Sequence, residues 1–191
     1  TGGESKVVTG NLSLNVADFA TLAGAYTFER SFDGVTTKLI VGATGVSVFM
    51  GNGSAGVQIT GGTLGLVVFP GAGTYALTMG GTGALTGFSN VTLTGALSAR
   101  GNTTGKVINE LISTNGGPVL VSFTDSAAVQ RIEGTVDLDI AGYARLTGAY
   151  AFQKTGSGDA TKVLAGATGV EASMVSGGTG VRIQNAQLAL A

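Results

Sequence analysis

The chain has no cysteine, no histidine and no tryptophan, and only 2 prolines among its 191 residues. Without thiols or imidazoles there is no disulfide scaffold, no thiolate or imidazole metal site, and no Ser–His or Cys–His catalysis. Charge is scarce too: 11% of residues are charged, against about 25% in an average soluble protein. The formal net charge of −1 leaves no electrostatic footprint for nucleic acid or an anionic membrane. No run approaches the ~18 apolar residues of a membrane helix; the longest, Leu64–Phe69, stops at Pro70. The first six residues lack the apolar core of a signal peptide, as expected of a mature or excised chain. Absence of cysteine fits an extracellular bacterial protein.

What the chain does have is glycine, 34 residues, about 18% against a usual ~7%. There is no Gly-X-Y period, which excludes collagen, and 43% of residues are hydrophobic, which argues against disorder. The composition is that of a glycine-rich β-protein with little equipment for chemistry. The expectation is no enzyme, no catalytic residue, no metal site and no cofactor.

An internal repeat organises the sequence. Residues 8–67 lie over 132–191 without a gap, with more than a third of the 60 aligned pairs identical. Leu22–Phe28 (LAGAYTF) matches Leu146–Phe152 (LTGAYAF), and Lys38–Val46 (KLIVGATGV) matches Lys162–Val170 (KVLAGATGV). This gives a short lead over 1–7, a full repeat unit over 8–131 and a half unit over 132–191. The chain then reads as a segment of a longer tandem array, or as a subunit whose ends neighbours complete. A finer echo, Gly-x-apolar-x-apolar, recurs at Gly10, Gly62, Gly95 and Gly134 and suggests coils of about 41 residues by the logic of stacked repeats.

Alternation with period two dominates, as in Asn11–Val16, Val91–Thr94 and Val136–Ile140, and predicts half-buried strands. Gly51–Ser54, Gly61–Gly62, Gly71–Gly73, Gly80–Gly81, Asn115–Pro118 and Gly156–Gly158 punctuate them with turn chemistry. Lys106–Ser113 satisfies helix and strand patterns equally. An all-β chain with close turns and a long repeat predicts a wide, three-sided β-solenoid of either hand, with about 41 residues per coil. Two β-sandwich-like repeats are the alternative fold.

Candidate motifs are weighed against plainer readings. Gly51–Gly56 fits Gly-x-Gly-x-x-Gly, but a dinucleotide site needs a helix next and an acid about 20 residues on; a turn is the better reading. Gly101–Lys106 resembles a phosphate loop one residue short, and reads as a corner. Asp137 and Asp139 share a strand face and so could pair as a glycosidase couple or bind a hard cation. Their repeat-mates Ser13 and Asn15 can do neither, so a solvated face is expected; Asp18 and Glu29, with mates Gly142 and Gln153, read alike. Thr92 and Thr94 form a Thr-x-Thr strand without the successive copies an ice-binding face needs. Tyr26, Phe28, Tyr150 and Phe152 could stack on sugars but fit core packing better. Asn11, Asn52, Asn90 and Asn102 head glycan sequons that such a composition generates by chance.

Around Gly134–Tyr143, preceded by Ser113–Phe123, the sequence resembles a tandem repeat unit of giant bacterial secreted or cell-surface proteins of the haemolysin-type and adhesin-like kind. That resemblance implies a non-enzymatic structural repeat of an extracellular filament, stalk or surface layer, assembling with itself through strand edges. A surface adhesion or carbohydrate-binding module is the alternative, with a polysaccharide or cell surface as partner; neither nucleic acid nor membrane insertion is expected. The calcium repeats of that group carry Gly-Gly-x-Gly-x-Asp. Here Gly80–Leu85 and Gly177–Arg182 put Leu85 and Arg182 where the Asp would be, so the calcium roll is not carried over.

Overall fold

The computed structural model describes residues 4–16, 20–156 and 161–191. Twelve strands follow one another: β1 (Glu4–Val16), β2 (Ala20–Phe32), β3 (Thr37–Asn52), β4 (Ala55–Phe69), β5 (Thr74–Thr86), β6 (Val91–Asn102), β7 (Ile108–Thr114), β8 (Gly117–Phe123), β9 (Val129–Ile140), β10 (Ala144–Thr155), β11 (Lys162–Ser176) and β12 (Thr179–Leu190). Ten of them form one antiparallel sheet in the order β1-β2-β3-β4-β5-β6-β9-β10-β11-β12, and β7 and β8 form a separate hairpin. The Lys106–Ser113 stretch is strand from Ile108 onward, in β7. Gly156–Gly158 falls partly, and Asp18 wholly, outside the described residues.

The fold is all-β as the alternation predicts, but its connectivity is not that of a solenoid. Each long strand pairs antiparallel with its neighbour, whereas stacked coils would pair equivalent strands in parallel. Turn length is the physical reason. Parallel partners need crossovers of a dozen or more residues, and the glycine-rich connections hold only short turns, such as Gly53–Ser54 and Gly177–Gly178. A turn with two successive residues at positive φ, here Gly177 at 59° and Gly178 at 82°, matches the twist of a tight hairpin. The recurring Gly10, Gly62, Gly95 and Gly134 lie inside strands rather than at coil corners. Two separate sandwiches are also ruled out in this chain, because β6 pairs with β9 and joins both repeat copies into one sheet.

The repeat is preserved in the hydrogen-bond register. Leu22 faces Leu14 and Val48 across β1-β2-β3, and its mate Leu146 faces Leu138 and Ala172 across β9-β10-β11. Even the irregularities coincide. The β2–β3 register slips between Ala23 and Ala25, and the β10–β11 register slips between the mates Thr147 and Ala149. Gly45 and its mate Gly169 sit at φ 60° and 57°, and Gly61 and its mate Asn185 at 61° and 51°. These positions need the left-handed conformation that glycine adopts freely and asparagine tolerates, and each adds the extra residue of a bulge.

Cross-strand partners share a face, so the register separates two sides. One side carries the row Leu14, Leu22, Val48, Ile59 and the row Ala43, Leu64, Met79, Ala99, Ile132, Phe152. We call this the open side. The other, the hairpin side, carries Thr27, Thr78, Arg100, Arg131 and Gln153, and over β2–β5 it is covered by the β7–β8 hairpin.

Candidate functional surface

Beneath the hairpin lies the buried core. Ile40, Val67 and Ala76 form one cross-strand row on β3, β4 and β5, and Ile108, Ile112, Val121 and Phe123 press onto it. A two-stranded hairpin alone is at best marginal in water. Burying each of these aliphatic or aromatic side chains contributes about 1.5–3 kcal/mol, so packing against the sheet is what orders β7 and β8. The approach is close enough to require glycine in the sheet. A Cβ built on Gly42 would lie 2.5 Å from Ile112 Cγ2, and one on Gly65 2.5 Å from Val121 Cγ2. Real Cβ contacts do not reach such distances.

Polar contacts fix the hairpin's orientation. Lys38 Nζ pairs with Glu110 Oε2 at 2.8 Å, and the buried Thr27 Oγ1 donates to the Ser113 carbonyl at 2.8 Å. Thr44 and Thr114 hydroxyls share a hydrogen bond of 2.7 Å. The Arg100 guanidinium donates to the Ser122 carbonyl at 2.7 Å and lies 5.0 Å from the Phe123 ring centroid, a cation–π distance.

The phosphate-loop look-alike, Gly101–Lys106, is the corner that launches β7. Asn102 is fully buried. Its Nδ2 donates to the Lys106 carbonyl at 2.9 Å, and its Oδ1 accepts from Thr104 N at 3.0 Å and Thr104 Oγ1 at 2.7 Å. A strand follows rather than the helix N-terminus a phosphate site uses. The same burial leaves the Asn102 sequon without access to a glycosylating enzyme. Gly51–Gly56 is likewise a strand-turn-strand corner, with Gly53 at φ 63°. Gly80–Leu85 runs along β5, and Gly177–Arg182 crosses the β11–β12 turn.

The two carboxylates do share a face, but each has a structural partner. Asp137 Oδ2 accepts from Arg145 Nη2 at 2.9 Å, which holds the Arg145 guanidinium above its ordinary pKa. Asp139 Oδ1 accepts from Gly142 N at 2.9 Å and fixes the β9–β10 turn. Thr92 and Thr94 face Asp139 and Asp137 directly across the β6–β9 seam, which is not the repeated threonine ladder of an ice-binding plane. Glu29 accepts from Ser5, and its mate Gln153 accepts from Arg131 at 3.1 Å. Among the described residues there is no group of three His, Cys, Asp or Glu that could hold a metal ion.

The expectation of core packing holds for only one of the four aromatics: Tyr26 is buried, whereas Phe28 and Phe152 are exposed on the open side. Tyr26 stacks on Phe28 at 6.2 Å between centroids and leans over Gly24 as Tyr150 leans over the mate Gly148. A cleft of about 570 Å³ opens between Val35–Thr37 and Pro70–Ala72. Lys106 is its one ionisable lining group, and its Nζ lies 5.5 Å from the Phe69 ring centroid.

The surface that the sequence reading missed is the open side. Val8, Leu12, Leu14, Phe28, Met50, Val57, Met79, Leu97, Ile132, Phe152, Val163, Met174, Val181, Ile183, Leu188 and Leu190 all project from it and are all exposed. Period-two alternation announces an apolar face. It does not say that, in one sheet, every such face joins the next. Monomeric soluble proteins rarely expose contiguous apolar patches beyond a few hundred Å², and this face runs across all ten strands of the sheet.

The chain matches no protein-family model, no curated protein and no solved structure, so its own geometry carries the functional reading.

Proposed function

We propose that this chain is a non-enzymatic structural repeat of an extracellular bacterial filament, stalk or surface layer, which extends one antiparallel sheet through its strand edges. A single observation carries the reading: each outer edge of the sheet has a mate that is paired inside the chain. The free edge of β1 corresponds to the edge of β9 that pairs with β6, and the free edge of β12 to the edge of β4 that pairs with β5. Both edges therefore carry a pairing pattern this sequence already uses, and unpaired edges template further strands. A ladder of strands 12–16 residues long supplies stiffness, and the sparse charge permits close lateral packing. The resemblance to repeats of giant secreted proteins supports an extracellular setting, with other copies as the partner.

Concentrated protein should form elongated tapes in electron micrographs, and aligned samples should diffract at ~4.8 Å along the tape axis. Sedimentation as a monomer at every accessible concentration would overturn the proposal.

The open side favours a second reading. A sheet apolar across one face, whose other face is polar over β6, β9 and β10 and sealed by the hairpin over the apolar row of β3–β5, has the pattern of a lipid-facing barrel wall. Flotation with phospholipid vesicles, together with protection of the open side from aqueous labelling, would support it. Assembly in lipid-free buffer with the same protection would remove it.

A further inference from the structure

Building on the repeat reading, we propose that the hairpin side of β10–β12 is a docking cradle for a second hairpin of the β7–β8 kind, supplied by a further copy of the repeat. The inward row of β3 that receives β7 and β8 is Lys38, Ile40, Gly42 and Thr44. Its mates on β11 are Lys162, Leu164, Gly166 and Thr168, at matching register positions against β10. In the first copy each of the four meets the hairpin: Lys38 through Glu110, Ile40 through the buried cluster, Gly42 through Ile112 and Thr44 through Thr114. In the second copy Lys162, Leu164 and Thr168 are exposed.

Gly166 is the most telling member. It has no positive φ, and a Cβ there would meet nothing closer than the Leu188 carbonyl at 3.6 Å. Neither backbone conformation nor packing within the chain asks for glycine. Its mate Gly42 is required by the hairpin and nothing else, since the atoms crowding a Cβ there belong to Ile112 and Thr114. The cradle also offers charge: Lys162 has no ion-pair partner among the described residues, and a second hairpin brings its own copy of Glu110. Besides Leu164 in place of Ile40, three hairpin-contacting positions depart from the first copy. Ala189 carries the Cβ that Gly65 lacks, while Ala151 and Ala191 are smaller than their mates Thr27 and Val67. The second hairpin accordingly seats slightly displaced toward β10 and the end of β12.

The test lengthens the chain in phase. A copy of residues 68–131 placed after Ala191 continues the repeat, and the native sequence contains no cysteine to interfere. In the first copy a Cβ on Gly42 lies 3.2 Å from Ile112 Cβ, close to disulfide spacing. Cysteine is therefore placed as Gly166→Cys and at the appended copy of Ile112, with the outward-facing copy of Leu111 as control. A disulfide from the Ile112 copy, absent from the Leu111 control and reduced by Lys162→Glu, is expected in a glutathione redox buffer. Absence of that disulfide while Gly42→Cys links to Ile112→Cys in the unextended chain would overturn the proposal. Should the extended chain aggregate, the same crosslink is read with a peptide spanning Lys106–Thr124, Ile112 replaced by cysteine, added to the 191-residue Gly166→Cys chain. Sedimentation separates the two claims, because tape assembly can fail while the crosslink forms, and the reverse.

Discussion

Replacing Asn102 by alanine should release the hairpin that covers the core. The side chain is fully buried and makes three hydrogen bonds, one to the Lys106 carbonyl and two from Thr104. A protein hydrogen bond contributes about 0.5–1.5 kcal/mol net, and a buried group left unsatisfied costs about 1–3 kcal/mol. Thr104 lies nearer the surface and can turn its hydroxyl to water. The Lys106 carbonyl keeps the 3.3 Å bond from the Thr104 hydroxyl, whereas the Thr104 N–H loses its Asn102 acceptor. The expected loss is about 2–4 kcal/mol, a large share of the 5–15 kcal/mol that a domain commonly has. Urea unfolding followed by circular dichroism reads the total. Hydrogen exchange at the amides of β7 and β8 shows where it is lost, and they should exchange faster while β9 and β10 stay protected. Thr104→Val should cost about 1 kcal/mol, and the double variant less than the sum, because both act on one network. A loss below about 0.5 kcal/mol, the usual range for surface substitutions, with unchanged protection in β7 and β8, would refute the corner's role.

Other outcomes follow from the same geometry. Val121→Ala removes two methyl-sized groups from a fully buried site and should cost about 2 kcal/mol by urea midpoint, more than transfer alone because a cavity remains. Gly166→Ala should leave the urea midpoint of the 191-residue chain unchanged, whereas Gly42→Ala should lower it by about 1–3 kcal/mol through overpacking against Ile112; equal effects would contradict the assigned packing. Asp33 accepts backbone N–H bonds from Thr36 and Val35, which hold its carboxyl below the ordinary value. Its contribution is thus present above the unfolded value of about 3.9 and lost as pH falls through the lower folded value, so Asp33→Asn should flatten the acid limb of a midpoint-against-pH curve. Changing both Asp137 and Asp139 to Asn should cost about 1 kcal/mol or less in thermal unfolding, as expected of an exposed ion pair and one turn contact.

Several features were legible in the chain before folding. The alternation in Val136–Ile140 and Asn11–Val16 gave strands. Gly51–Ser54, Gly71–Gly73 and Asn115–Pro118 mark turns as read, whereas Gly61–Gly62 and Gly80–Gly81 lie inside β4 and β5, with Gly61 supplying a bulge rather than a chain reversal; the match of Leu22–Phe28 to Leu146–Phe152 gave a duplicated unit whose register the structure repeats down to its bulges. The corner at Gly101–Lys106 was legible as a corner, but its central residue was not, because nothing in a Gly-Asn-Thr-Thr sequence reveals that Asn102 is enclosed by a hairpin folding back over it.

Sequence alone therefore determined most of the strands, several of the turns and the duplication, because side-chain periodicity and glycine conformational freedom act between near neighbours; whether Lys106–Ser113 is helix or strand, and whether a glycine pair turns the chain or sits within a strand, it did not. Tertiary structure decided which strand lies beside which, turning an expected stack of parallel coils into a meander, since chain reversal through a short turn permits only an antiparallel partner. It also decided that one apolar row, Ile40, Val67 and Ala76, is sealed beneath the hairpin while the apolar rows of the opposite side merge into one largely open face, and that Gly42 and Gly166, each followed by Ala-Thr-Gly-Val, meet a hairpin in one copy and open space in the other. Those facts depend on which long-range surfaces come together, and local pattern carries no information about that.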